Sequence, residues 1–90
     1  MRILHLTVTK NWFDMIASGE KPEEYRGIKP YWEARLLNER FDAVKFRNGY
    51  SEDSPVVTME LLYIERGIGR VEWGAPKNKE VFILKLGKVT

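Results

Sequence analysis

Apolar and polar residues alternate along several short segments of this chain, and that period of two limits its fold more tightly than any bulk property. In Ile3–Thr9, the residues Leu4, Leu6 and Val8 fall on one face. In Ala43–Asn48, Val44 and Phe46 point one way and Lys45 and Arg47 the other, and in Glu80–Leu86 the inward set is Phe82, Leu84 and Leu86. Each pattern predicts a half-buried strand. Val56–Glu65 is the longest strand candidate. Met59-Glu60-Leu61-Leu62 within it also suits a helix, but the flanking Pro55 and Gly67 and the Val, Thr, Tyr and Ile content favour a strand.

Two segments carry the helical period instead. Thr9 or Asn11 can cap a helix over Lys10–Ser18, with Trp12, Phe13, Ile16 and Ala17 as its packing stripe and Gly19 as a left-handed C-terminal cap. Pro30 is placed as the first residue of a second helix running to Leu37, and Asn38 as its stop. Asn48-Gly49 signals a turn, Ser51–Pro55 a polar loop and Gly67–Asn78 a longer one. Strands dispersed among two short helices make the class α+β, with a small barrel or strongly curved sheet and the helices packed on one side.

At 90 residues the chain holds one domain, 1–90, because half of it could not bury a core. The 43% hydrophobic and 31% charged content is that of a globular protein. There is no cysteine, which excludes disulfides, thiolate metal sites and cysteine nucleophiles and favours a cytoplasmic home. The first residues are too polar for a signal peptide, and no apolar run approaches a membrane span. The net charge of +2 permits nucleic-acid binding without demanding it, since Lys and Arg are mixed with acids throughout.

The densest chemistry lies in Gly19-Glu20-Lys21-Pro22-Glu23-Glu24-Tyr25-Arg26. Arginine offers a planar fork to phosphate or carboxylate, lysine a mobile point charge, and glutamate an acceptor for base or sugar donors. The same trio can do acid–base work where burial shifts a pKa. A solvated charged turn is the plainer reading. In a straight strand Glu24 and Arg26 share a face and Lys21 falls on the other, so bringing the three together requires a bend at Lys21-Pro22.

Gly19-x-Lys21-x-x-Glu24-x-Arg26 resembles the G-x-K-x-x-E-x-R signature of ASCH domains, relatives of the PUA RNA-binding fold. Asn48-Gly49-Tyr50 and Glu72-Trp73-Gly74-Ala75 are similar to segments of small stand-alone members. The resemblance implies a PUA-like β-barrel of five or six strands with a cleft beside the motif. It also implies RNA or a nucleotide-like small molecule as partner. One subgroup of small ASCH proteins hydrolyses acetylated cytidine with a lysine and a threonine near this motif. Here Lys21 matches the lysine, but Glu24 occupies the threonine position.

The expected ligand-binding set is therefore Lys21, Glu24, Arg26, Lys45, Arg47, Asn48, Tyr50 and Trp73. Lys45, Arg47, Asn48 and Tyr50 combine basic and stacking groups as a single-strand surface would, although alternating outward charges explain the first two equally well. Trp73 can stack on a base or merely cover the barrel end. Under the alternative, a small amidohydrolase acting on a modified nucleoside, the catalytic candidates are Lys21, Glu24 and Glu60. Trp12 and Phe13 are expected to be packing residues. His5, the sole histidine, cannot build a usual zinc site, and Gly67-Ile68-Gly69 lacks the third glycine of a dinucleotide fingerprint. No metal and no cofactor is expected, and a monomer is.

Overall fold

The computed structural model describes residues 1–90. Its elements run β1 (Ile3–Val8), α1 (Lys10–Ser18), β2 (Glu23–Gly27), α2 (Pro30–Leu37), β3 (Ala43–Asn48), β4 (Val56–Ile68), a single 3₁₀ turn (Val71–Trp73) and β5 (Glu80–Val89). The five strands form one mixed sheet in the order β1-β3-β4-β5-β2. Only β1 and β3 are parallel, joined through the long crossover that carries α1, β2 and α2. The remaining neighbours pair antiparallel.

The sheet curls until its two edge strands face each other. Arg26 of β2 reaches the carbonyl of Thr7 on β1, at 3.5 Å, although no backbone ladder joins these strands. Two irregularities in the β4–β5 ladder help the bend. The register steps between Met59 and Leu61 and again between Leu61 and Tyr63. The first step places an extra residue in β5 near Gly87 and the second an extra one in β4, and each bulge increases local twist. The second also explains the helix-like run Met59-Glu60-Leu61-Leu62: Met59 and Leu61 are buried, while Leu62 and Tyr63 are both exposed.

The alternating residues build the core as their spacing predicts. Leu4, Val44, Phe46, Phe82 and Leu84 are wholly buried, joined by Ile16 of α1, and Phe13 and Leu36 complete the cover from the helices. Several boundaries differ from the sequence reading. β1 stops at Val8, because Thr9 becomes the residue before α1; its backbone is extended and its hydroxyl makes no capping bond. β4 continues to Ile68, pairing Gly67 with Val81 and Ile68 with Glu80, and β5 runs on to Val89. Gly19 takes the left-handed conformation at φ 87° and donates its N–H to the Ile16 carbonyl, as a C-terminal cap should. Pro30 opens α2 and Asn38 closes it. No helix is long and apolar enough to cross a membrane.

Candidate functional site

The chain leaves α1 through Gly19 and is pinned on both sides of the expected bend. The Lys21 amide donates to the Met15 carbonyl of α1 at 2.9 Å, and the Pro22 carbonyl accepts from the Leu86 amide of β5 at 2.9 Å. Proline has no N–H to lose from that ladder, so it is tolerated at the strand entrance. Between these anchors the Lys21 side chain passes into the protein and is only 1% exposed.

A buried ammonium must find acceptors for its N–H groups. Lys21 Nζ donates to the carbonyls of Glu23 and Trp73, both at 2.7 Å, and lies 3.1 Å from Glu24 Oε1. Two donors are thus used in hydrogen bonds, and Glu24 supplies the counter-charge. The rings of Tyr25 and Trp12, with centroids 4.7 and 5.4 Å from Nζ, enclose the charge. Burial holds the Lys21 pKa below the ordinary lysine value, with Glu24 opposing that shift.

Glu24 carries the charge outward. Its Oε2 accepts from Arg26 Nη2 at 2.6 Å, so one buried carboxylate joins Lys21 to Arg26. The Arg26 guanidinium lies 5.2 Å from the centre of the Trp32 ring, and its Nε is buried without an acceptor. Gly19 thus turns the chain, Lys21 anchors it, and Glu24 and Arg26 carry the charge toward the surface.

A second cluster backs the first. Tyr25 donates its hydroxyl proton to Glu23 Oε1 at 2.5 Å and accepts from the Arg70 amide at 3.1 Å, while Lys85 Nζ donates to Glu23 Oε2. Burial pushes the Tyr25 phenol well above its ordinary value, helped by the carboxylate it faces, so it remains a donor. Burial also pushes the Glu23 carboxyl up, but the hydrogen bonds from Lys85 and Tyr25 and the nearby ammonium charges outweigh it, and the net shift is downward. Glu23 therefore contributes stability that is present above the unfolded carboxyl value and lost as pH falls through the lowered folded one. Urea midpoints should drop in that acid window, and Glu23→Gln should flatten the drop. An unchanged slope in the variant would remove Glu23 as its source.

The edge strands and the start of α1 enclose a cleft of about 340 Å³, lined by Glu24, Arg26, Asn48 and Tyr50 together with Trp12 and the Thr7–Thr9 segment. Four of the expected ligand-binding residues meet there. Lys21 lies behind Glu24 and does not line the cleft. Trp73 contributes its carbonyl to Lys21, while its ring, 4.7 Å from the Arg70 guanidinium, stands outside the cleft. Lys45 and Arg47 stand on the face of β3 opposite Val44 and Phe46, beside His5 and Thr7 of β1, and neither lines the cleft. Arg47 donates instead to the Ser51 carbonyl at 3.1 Å.

Glu60 belongs elsewhere. It lines a larger recess of about 600 Å³ with Phe41, Leu62, Tyr63 and Thr90, which shares no residue with the cleft. Lys21, Glu24 and Glu60 are therefore not assembled into one catalytic group. No three His, Asp or Glu side chains gather in a way that could hold a metal ion.

Sequence reasoning missed Trp12, Thr7 and Thr9. Trp12 does pack against the core, but its ring is only partly buried, and it also forms a wall of the cleft. Helical spacing marks which residues face inward and cannot tell that an inward face ends at an opening. The turn Gly74, at φ 98°, explains part of the ring's setting: a Cβ there would stand 3.1 Å from the Trp12 ring. No protein-family model, curated protein or solved structure matches the chain.

Proposed function

We propose that this chain is a small PUA-like domain of the ASCH type that binds RNA or a nucleotide-like small molecule in the cleft between β1 and β2. The observation that carries this reading is the composition of one opening. A guanidinium (Arg26), a side-chain amide (Asn48) and two threonines line the same cleft as two aromatic rings, Trp12 and Tyr50. Its volume of about 340 Å³ lies at the small end of the range for small-molecule sites, ~300–1,000 Å³. A flat heteroaromatic base finds stacking surface there, and its edge finds the amide. The signature adds support, because its Lys21, Glu24 and Arg26 are joined in one ion-paired unit.

The hydrolase alternative requires a free amine or an activated water at Lys21. That ammonium is 1% exposed, donates to two backbone carbonyls, is ion-paired with Glu24 and does not line the cleft, which favours binding over turnover.

Tyr50 offers a clean test because its side chain is 92% exposed and supports no part of the core. Tyr50→Ala should leave the melting temperature unchanged and cost about 1–3 kcal/mol of binding, the usual value of one stacked base. Calorimetric titration with nucleotides and short single-stranded RNA reads both quantities. Absence of binding to every such ligand by the wild-type chain would defeat the reading.

A further inference from the structure

The charges around the cleft narrow the ligand further. Glu24 is the only carboxylate that lines it, and this group is shared between Arg26 and the buried Lys21. Two cations on one anion leave one positive charge uncompensated at the site. The neighbouring Glu23 and Lys85 pair with each other and do not offset it. A positive charge held away from bulk water by protein walls favours a ligand that brings a negative one.

Arg26 is also underused as a donor. Both of its side-chain hydrogen bonds, to Glu24 and to the Thr7 carbonyl, leave from Nη2. Nη1 makes no hydrogen bond within the protein and, unlike the buried Nε, is not sealed off, while Trp32 lies beside the guanidinium. A tetrahedral oxyanion supplies acceptors in the geometry that a guanidinium fork prefers.

The start of α1 lies on the same cleft, through Thr9 and Trp12. Its first turn contains no acidic residue, and the Thr9 hydroxyl makes no capping bond. Asp14, one turn further along, is taken up by Lys10 at 2.6 Å. The positive end of the helix dipole is therefore not offset by a carboxylate of its own first turn and adds to the field that Arg26 provides.

We infer that the ligand is held by a phosphate group seated against Arg26 beside the start of α1, so that the cleft selects phosphorylated nucleotides over free nucleosides. This rests on the nucleotide-binding reading given above. The phosphate can belong to a mononucleotide or to the backbone of an RNA strand, which share this chemistry. Tyr50 and Trp12 then recognise the base, and Arg26 recognises the charge.

The test titrates the full chain with the four common ribonucleosides, their 5′-monophosphates, inorganic phosphate and a short single-stranded RNA without terminal phosphates. At least one monophosphate, or the RNA, should bind about tenfold or more tightly than the matching nucleoside, as a charge-assisted hydrogen bond gives. Tighter binding of the monophosphate assigns the site to a free nucleotide, and tighter binding of the RNA assigns it to a strand. Inorganic phosphate should compete with either. Arg26→Gln should erase the preference, Arg26→Lys should keep part of it, and Tyr50→Ala should weaken nucleoside and nucleotide by the same factor. If Arg26→Gln does not fold, the wild-type preference must still shrink as salt is raised. Nucleosides binding as tightly as both monophosphates and RNA would overturn the phosphate assignment and leave nucleotide-type recognition standing. Failure of every probe to bind would overturn both.

Discussion

Replacing Glu24 by alanine is expected to destabilise the protein by about 3–5 kcal/mol, the usual consequence of removing one member of a buried ion pair. Glu24 is 7% exposed and is the only carboxylate that Lys21 and Arg26 share. Without it, Lys21 keeps two carbonyl acceptors but loses its counter-ion in a site that is 1% exposed. Arg26 lies nearer the cleft and can turn toward water, so most of the loss comes from Lys21. The double substitution Lys21→Met with Glu24→Leu should therefore recover much of the loss, because it removes both the buried charge and its partner. Urea denaturation of the two variants gives the comparison. A loss below about 1 kcal/mol for Glu24→Ala would match a solvated surface pair instead.

This expectation changes how the signature lysine is to be tested. A binding role for Lys21 in direct contact with ligand would let Lys21→Ala weaken binding while the fold stays intact. With Nζ donating to the Glu23 and Trp73 carbonyls and paired with Glu24, the substitution leaves those acceptors without their donor in the interior and lowers stability first. Arg26 is the better probe of ligand binding, since it lines the cleft.

The second large effect is expected at Gly69. A Cβ at that position would stand 2.5 Å from the Tyr25 ring and 2.7 Å from the Ala75 Cβ. Neither neighbour can yield easily. Tyr25 is fixed by its hydrogen bonds to Glu23 and Arg70, and Ala75 is buried at 5%. Gly69→Ala should cost about 1–3 kcal/mol through overpacking. It should also lift the 3₁₀ turn away from Tyr25 and Lys21, seen as faster hydrogen exchange at the Arg70 and Gly74 amides. Full stability with unchanged exchange would show that the turn does not depend on that close approach.

Both predictions concern contacts between residues far apart in the chain, and that distance separates what was legible from what was not. The β1, α1, α2, β3 and β5 segments were legible because their signals are local. Side chains alternate or repeat every 3.6 residues, proline opens α2, and Gly19 supplies a left-handed cap. Even the crowding of charge before Arg26 could be read as a candidate site. The bulges near Leu61 and Gly87 could not, because a bulge exists only relative to the partner strand. For the same reason Glu60 could be named as a carboxylate on a strand but not located at a separate recess.

By itself, then, the sequence determined the α+β class, the two helices, the turn at Gly19 and the residues from which a site could be made. Backbone sterics and side-chain periodicity act within a few residues and so are written in the chain. Tertiary structure decided which of those residues meet. The Trp73 carbonyl that anchors Lys21 lies 52 positions away. The cleft joins β1, β2, the start of α1 and the turn after β3 only because the sheet curls its edges together. That curl turned Lys21 into a buried strut, left Lys45 and Arg47 on another face, and set Trp12 beside Arg26. A charge can be read from one letter. Whether it faces water, a carbonyl or a ligand depends on what the fold packs around it.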